Sequence, residues 1–141
     1  MKKIIAFLII IVGTFISCSK SSDGGGSTPT PSPTPTPSET PIAFTINATN
    51  NSVSLTNGYA VTATLTSIMP SSKGITIETT LVDQTSSANI SQSAAVTSTS
   101  AANNLQFINL PQQHWCTATV KMSSVATPSN SASQSFTVVY K

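Results

Sequence analysis

Few residues of this chain could do chemistry, and the most suggestive pair is His114 and Cys116. A histidine beside a cysteine can activate the thiol as a nucleophile. The pair is separated by one residue, so on a β-strand both side chains point to the same face. That face continues with Ala118 and Val120, and a thiol in an apolar core behaves as a small hydrophobic group. The spacing therefore favours a packed cysteine over a nucleophile.

The acidic residues are equally sparse, because Glu78 and Asp83 are the only carboxylates after Pro41. In an extended strand this separation puts them on opposite faces and roughly 16 Å apart, too far for the paired chemistry of a glycosidase. One histidine, one cysteine and two scattered carboxylates are also a poor ligand set for a metal. The sequence predicts no enzyme, no metal site and no cofactor.

The second cysteine, Cys18, ends an apolar stretch that begins after Met1-Lys2-Lys3. The stretch is shorter than the roughly twenty residues of a membrane span and lacks an Ala-x-Ala cleavage site. Phe15-Ile16-Ser17-Cys18 resembles a bacterial lipobox. The resemblance implies a signal peptide over residues 1–17 and several acyl chains on Cys18, which together anchor a protein stably. A plain secretory signal and an uncleaved anchor are the alternatives.

The charge of the chain limits the classes of molecule that it can bind, and its cysteine content limits the disulfides that it can form. The formal charge of +2 disappears with Lys2 and Lys3, which leaves four lysines against four carboxylates and no arginine. A neutral chain has no electrostatic footprint for nucleic acid. Cys18 is assigned to lipid, so Cys116 has no partner for a disulfide within the chain.

Composition divides the mature chain into a tether and one domain. Residues 18–41 combine Gly24-Gly25-Gly26 with prolines that alternate with Thr or Ser: Pro29, Pro31, Pro33, Pro35 and Pro37, with Pro41 closing the stretch. Alternating prolines favour polyproline II, so residues 29–41 could extend about 40 Å. Residues 42–141 have the length of a single domain.

The domain shows period-two alternation and no helical pattern. The predicted inward residues, in chain order, are Ile42, Phe44, Ile46, Val53, Leu55, Val61, Ala63, Leu65, Ile75, Ile77, Thr79, Leu81, Ile90, Ala94, Val96, Leu105, Phe107, Cys116, Ala118, Val120, Met122, Phe136, Val138 and Tyr140. About seven strands separated by turns in a hundred residues predict an all-β, antiparallel sandwich.

Residues 110–120 (Leu-Pro-Gln-Gln-His-Trp-Cys-Thr-Ala-Thr-Val) resemble the E–F corner and F strand of immunoglobulin-like domains. His114 occupies the place of the corner tyrosine, and the usual partner cysteine is missing, so fibronectin-III-like and PKD-like sandwiches fit equally. An immunoglobulin-like order implies that the tether enters beside the loops at 68–70 and 123–131. The whole layout resembles surface lipoproteins of Bacteroidetes, which implies a lipid anchor in the outer membrane and exposure at the cell surface.

Trp115 and Tyr59 are the candidate ligand-binding residues. With Cys116 inward, Trp115 projects outward, where an indole can stack on a neutral sugar ring; the expected neighbours are Thr117, Thr119, Thr76, Glu78 and Thr137. Single exposed apolar residues also occur without a function, so a tryptophan that covers a loop or a sheet edge is the alternative. We expect a non-catalytic envelope module for adhesion or for glycan or protein binding, or else a structural accessory subunit of an outer-membrane or secretion complex.

Overall fold

The computed structural model describes residues 38–141, which form nine strands. Cys18, the signal sequence and most of the tether lie outside these residues. The strands are β1 (Phe44–Ile46), β2 (Ser52–Ser54), β3 (Tyr59–Leu65), β4 (Ile75–Asp83), β5 (Asn89–Ile90), β6 (Val96–Ser98), β7 (Ala102–Phe107), β8 (Trp115–Ser124) and β9 (Ser131–Tyr140).

Two sheets pack face to face. The smaller has the order β1-β3-β7, and the larger has the order β2-β9-β8-β4-β5, with β6 also paired to β4. Every pairing is antiparallel except that of β2 with β9. Strands β1, β3 and β7 correspond to A, B and E of the immunoglobulin-like order, and β4, β8 and β9 correspond to C, F and G. The predicted all-β sandwich is confirmed, with nine strands in residues 38–141 in place of about seven.

Alternation in the long strands builds the core. On β8 the inward residues Cys116, Ala118, Val120 and Met122 are all fully buried, as predicted. Phe136 of β9 meets Phe107 of β7 edge to face, with ring centroids 5.5 Å apart. Burial of each phenyl group contributes about 1.5–3 kcal/mol, so this contact between the sheets is a main source of stability.

The inward face of β2 was predicted wrongly. Val53 and Leu55 are exposed, and Ser54 is the buried residue. Ser54 can be buried because its hydroxyl donates to the Gly58 carbonyl oxygen at 2.6 Å and accepts the Thr56 N–H at 3.2 Å. The parallel pairing with β9 sets which residues of β2 face inward, and nothing in the local sequence specifies that pairing.

The segment 88–98 was also predicted in part wrongly. It forms two short strands, β5 and β6, and only Ile90 packs against the core, while Ala94 and Val96 are exposed. Between β5 and β6, the Gln92 side-chain amide bonds the Ile108 backbone, which follows β7 of the smaller sheet. It donates to the Ile108 carbonyl oxygen and accepts the Ile108 N–H, each at 2.9 Å. This contact holds the segment away from a continuous pairing with β4.

The two ends of the sandwich differ, and the chain enters at one of them. At this entering end the Ile42 N–H donates to Asn130 Oδ1 at 3.0 Å, and the Ala43 N–H donates to Ser67 Oγ at 3.2 Å. The predicted position of the incoming chain beside the loops at 68–70 and 123–131 is confirmed. We call the opposite end, where β8 begins and β9 finishes, the far end.

Gly74 directly precedes β4, and its backbone conformation there can be tested by substitution. Its φ of +85° is left-handed, and a methyl group there would collide with the Ser98 carbonyl oxygen of β6. We expect Gly74→Ala to lower the free energy of unfolding by at least about 2 kcal/mol, from backbone strain and displacement of β6. Urea unfolding measures this loss.

Gly58→Ala is the matched control. A methyl group at Gly58 would meet the movable end of the Gln106 side chain, at 2.6 Å from Nε2, and would lie 3.1 Å from the Phe107 carbonyl oxygen, a contact that a small shift relieves. The control should therefore lose clearly less stability than Gly74→Ala. Equal losses would contradict the proposed role of the Gly74 conformation.

Candidate binding platform at the far end

Trp115, the first residue of β8, lies on the outer face of the large sheet. Its side chain is 37% exposed, whereas the next residue, Cys116, is completely buried. The strand alternation predicted this orientation, because residues that follow one another in a strand point to opposite faces. The indole is thus open to solvent at the far end of the sandwich.

The strand register places two valines beside Trp115. Val139 of β9 is paired with Trp115, and Val53 of β2 is paired with Val139 on its other side. Val139 is outward-facing yet only 3% exposed, because its neighbours in this row cover it. Trp115, Val139, Gln113 and Lys141 line an open depression of about 430 Å³. We call these four residues the binding platform.

Gln113, one of the four platform residues, has a strained backbone conformation. Its φ is +62°, a left-handed conformation that costs a residue with a side chain roughly 1–2 kcal/mol. The Gln113 N–H donates to the Tyr140 carbonyl oxygen at 2.7 Å, which holds the conformation. Strain of this kind is often found at functional sites, and here it adjoins the one exposed tryptophan.

The predicted neighbours of Trp115 are only partly correct. Thr117 and Thr137 are paired with each other in the next outward row, and Gln84 Nε2 donates to Thr117 Oγ1 at 3.0 Å. Thr119 is one row further and hydrogen-bonds Ser135.

Thr76 and Glu78 are not neighbours of Trp115. They pair with Ser123 and Lys121 towards the entering end, and Lys121 lies roughly 20 Å along β8 from Trp115. Glu78 instead forms an ion pair with Lys121 at 3.2 Å. The sequence alone could not exclude these two residues, because their distance from Trp115 depends on the β4–β8 register.

Tyr59, the second candidate, lies at the start of β3 in the other sheet. Its half-buried ring packs against Phe136 with centroids 5.7 Å apart and the rings tilted by 46°. Tyr59 is on the inner side of the small sheet, and Trp115 is on the outer side of the large sheet. The structure does not bring the two candidates into one site.

His114 and Cys116 both lie close to Asp83, but only Cys116 and Asp83 are buried, whereas the His114 side chain is 42% exposed. Register pairs Cys116 with Asp83, and His114 Nδ1 lies 2.9 Å from Asp83 Oδ2. Cys116 Sγ is 3.9 Å from the His114 carbonyl oxygen. Burial, and secondarily the Asp83 charge, raise the pKa of the Cys116 thiol. The arrangement therefore keeps the thiol protonated and does not activate it as a nucleophile.

Asp83 organises the turn that follows β4. Its carboxylate accepts hydrogen bonds from the Ser86 hydroxyl at 2.6 Å, from His114 Nδ1 at 2.9 Å and from the Thr85 N–H at 2.9 Å. These bonds, with that from Ser86 the largest cause, hold the pKa of the Asp83 carboxyl well below its usual range. Sequence reasoning missed this pair because His114 is remote from Asp83 along the chain.

Comparison with known proteins found no matching family model, curated protein or solved structure. Within residues 38–141, no group of three or more His, Cys, Asp or Glu residues could hold a metal ion. In the same part of the chain no helix is long and apolar enough to span a membrane. Any assignment of function therefore rests on the sequence pattern and on the geometry of the platform.

The lowered pKa of Asp83 predicts a pH-dependent stability. The carboxylate stabilises the fold fully above its unfolded pKa of about 3.9, and this contribution is lost as the pH falls from about 4 towards the lowered folded value. We expect Asp83→Asn to reduce the unfolding free energy at pH 7 and to flatten its decline below about pH 4. Chemical unfolding over a pH series measures both effects.

Glu78→Gln provides the control for this experiment, because it neutralises an exposed carboxylate on the same strand. This variant should keep the steep loss of stability in acid. If Asp83→Asn retains the acid slope of the original protein, the Asp83 hydrogen bonds are not its cause.

Proposed function

We propose that this protein is a non-catalytic, lipid-anchored binding module of the bacterial cell envelope, which captures a glycan or a glycan-bearing surface through the platform. The single observation that carries the proposal is the position of Trp115. It is exposed on the outer face, in a depression with Gln113, Val139 and Lys141, at the end opposite the incoming chain. A domain held by its N-terminal tether would present this end to the surroundings.

The chemistry of the platform suits a neutral ring with one apolar face. An indole offers a flat apolar surface and one N–H donor, and the Val139 side chain extends that surface. Gln113 and Lys141 at the margin offer amide and ammonium groups for the hydroxyl groups of a sugar. The neighbouring outward row of Thr117 and Thr137 is uncharged.

The anchoring part of the proposal rests on the sequence. The lipobox resemblance at residues 15–18 and the Pro/Thr-rich stretch that follows it support attachment through Cys18 and a spacer of about 40 Å. The resemblance to Bacteroidetes surface lipoproteins supports an outer-membrane location with exposure at the cell surface.

A structural accessory subunit of an outer-membrane or secretion complex is the second candidate. One observation favours it: within residues 38–141, β7 is a six-residue edge strand that pairs with β3 alone. Free strand edges can accept another chain. Cross-linking of intact cells, followed by mild solubilisation, would then recover a stoichiometric membrane partner irrespective of added sugars.

Lipid attachment is tested at Cys18. We expect Cys18→Ser to abolish incorporation of labelled palmitate and to leave the N-terminal segment uncleaved, because the thiol that carries the lipid is gone. Metabolic labelling and intact-mass measurement report the two effects. Cys116→Ser, which changes the buried cysteine, should retain the label; loss of the label there would point to the wrong cysteine.

Glycan capture is tested at Trp115. We expect Trp115→Ala to weaken binding on a glycan panel roughly tenfold or more, because the stacking surface is lost, whereas Trp115→Phe should retain part of it. The matched control is Val96→Ala, which shortens another exposed apolar residue away from the platform. Binding that survives Trp115→Ala, in a protein with an unchanged melting temperature, would refute the role of the platform.

A further inference from the structure

The asparagines of the domain differ in how firmly the fold holds their side chains. Within residues 38–141, seven of them use a side-chain amide atom in a hydrogen bond: Asn47, Asn50, Asn51, Asn103, Asn104, Asn109 and Asn130. Asn57 and Asn89 are the two in this part of the chain whose side chains make no such bond. Asn89 precedes the β-branched Ile90, whereas Asn57 precedes Gly58. Asn57 therefore combines an amide that the fold does not hold with the smallest possible following residue.

The Asn57–Gly58 peptide lies in the turn between β2 and β3. Asn57 is exposed and Gly58 is half-buried. The Gly58 carbonyl oxygen accepts the Ser54 hydroxyl at 2.6 Å and the Thr56 hydroxyl at 3.1 Å, so the turn is ordered. The Gly58 N–H, in contrast, donates no hydrogen bond to any of the residues that the structure describes. The nitrogen of this peptide is therefore available for a reaction.

The same peptide bond is polarised at its oxygen. The Leu110 N–H donates to the Asn57 carbonyl oxygen at 2.8 Å. When a peptide nitrogen loses its proton, resonance places much of the negative charge on the carbonyl oxygen. A donor already aimed at that oxygen stabilises the charge. The Leu110 N–H thus favours the deprotonated, nucleophilic form of the Gly58 nitrogen.

We propose that Asn57 is a site of spontaneous covalent modification, in which its side chain cyclises onto the main chain and becomes aspartate or isoaspartate. The Gly58 nitrogen gives its proton to hydroxide and attacks Asn57 Cγ, which closes a five-membered succinimide ring. The bond from Cγ to Nδ2 breaks, and Nδ2 takes a proton from water and leaves as ammonia. Because nucleophile and amide are neighbours in one chain, no second reactant has to be ordered for this step.

Water completes the reaction by opening the ring. Cleavage of the bond between the Gly58 nitrogen and Cγ gives aspartate with the ordinary main chain. Cleavage of the bond between this nitrogen and the Asn57 main-chain carbonyl carbon gives isoaspartate, in which the main chain runs through Cβ and Cγ. In sum, one water molecule is consumed and one ammonia molecule is released, with no oxidation or reduction.

Glycine at position 58 makes the attack sterically possible, because no Cβ stands beside the nucleophilic nitrogen. A Cβ there would also lie 2.6 Å from Gln106 Nε2 and 3.1 Å from the Phe107 carbonyl oxygen. The φ angle of Gly58 is not in the left-handed region, so the backbone itself accepts alanine. Gly58→Ala therefore acts on the reactivity of the turn more than on its conformation.

The products change both the charge and the main chain of the far end. The charged side chains of residues 38–141 balance, with three lysines (Lys73, Lys121 and Lys141) against three carboxylates (Glu39, Glu78 and Asp83). Either product adds one negative charge. Isoaspartate also adds a methylene to the main chain beside Leu110, which is buried and begins the segment that leads to Trp115. The modification thus acts at the end that carries the platform, although the reaction does not depend on the proposed function.

The test incubates the purified full-length chain at neutral and at mildly alkaline pH. Peptide mapping by mass spectrometry locates the mass gain that replacement of NH₂ by OH produces. We expect Asn57 to react before every other asparagine of residues 38–141, and faster at the higher pH because the nucleophile is deprotonated. Hydroxylamine, which cleaves succinimides, should cut the reacting chain between residues 57 and 58.

Two variants and one internal asparagine are the matched controls. Gly58→Ala crowds the attacking nitrogen and Asn57→Gln requires a six-membered ring, so each should slow the reaction roughly tenfold or more. Asn130 is also followed by a small residue, Ser131, but its Oδ1 accepts the Ile42 N–H and its Nδ2 donates to the Thr40 carbonyl oxygen. Asn130 should react only after the protein is unfolded in urea.

Asn57→Asp separates the effect of the charge from that of the main chain. This variant carries the charge of the product with an ordinary peptide bond. The isoaspartyl form, isolated by ion exchange, should melt at a lower temperature than Asn57→Asp, because the added methylene displaces the Gly58 carbonyl oxygen from Ser54 and Thr56. Equal melting temperatures would refute this effect on the turn.

Three outcomes would overturn the proposal itself. The native protein could stay unmodified at Asn57 under conditions that modify the urea-unfolded chain, another asparagine could react first, or Gly58→Ala could react as fast as the original protein. Trp115→Ala should be modified at an unchanged rate, so failure of glycan capture and failure of this reaction are separate results.

Discussion

The three-strand ladder of β4, β8 and β9 is the constraint on which the rest of the structure depends. These strands are nine and ten residues long and pair continuously. β8 lies in the centre, with one face entirely inside the core. Its alternating residues from Cys116 to Met122 are fully buried, and a shift of one residue would expose all of them at once. Register is therefore fixed here more strongly than anywhere else in the domain.

This register creates both clusters that bear on function. Because Cys116 must face inward, Trp115 must face outward, and the β8–β9 pairing then supplies Val139 beside it. Because Asp83 is paired with Cys116, it lies at the edge of the core, where His114, Ser86 and Thr85 can reach its carboxylate. The first cluster is open to ligands. In the second cluster, the Asp83 carboxylate is already occupied by hydrogen bonds that order the turn after β4, so this cluster stabilises the fold.

The smaller sheet is held together by fewer strand pairings than the larger one. It has only three strands, its edge strand β7 is paired on one side, and the segment that could have covered that edge pairs with β4 instead. The Gln92 amide satisfies one position of the edge and leaves the rest exposed. The larger sheet thus displays Trp115 on its outer face, and the smaller sheet ends, among residues 38–141, at a strand that pairs with β3 alone.

The sequence by itself determined the class of fold and, in the most regularly alternating strands, which side chains face inward and which face outward. Alternation in β3 and in the first part of β8 specified the inward residues from Val61 to Leu65 and from Cys116 to Met122, and with them the outward position of Trp115. It did not predict the burial of Val139, Ser123 and Ser124. Tertiary structure decided what alternation leaves open. It buried Ser54 in place of Val53, joined Asp83 to His114, moved Glu78 away from Trp115 and left the edge of β7 free. Each of these depends on which strands pair and in which register, and that choice is made by contacts between residues far apart in the chain.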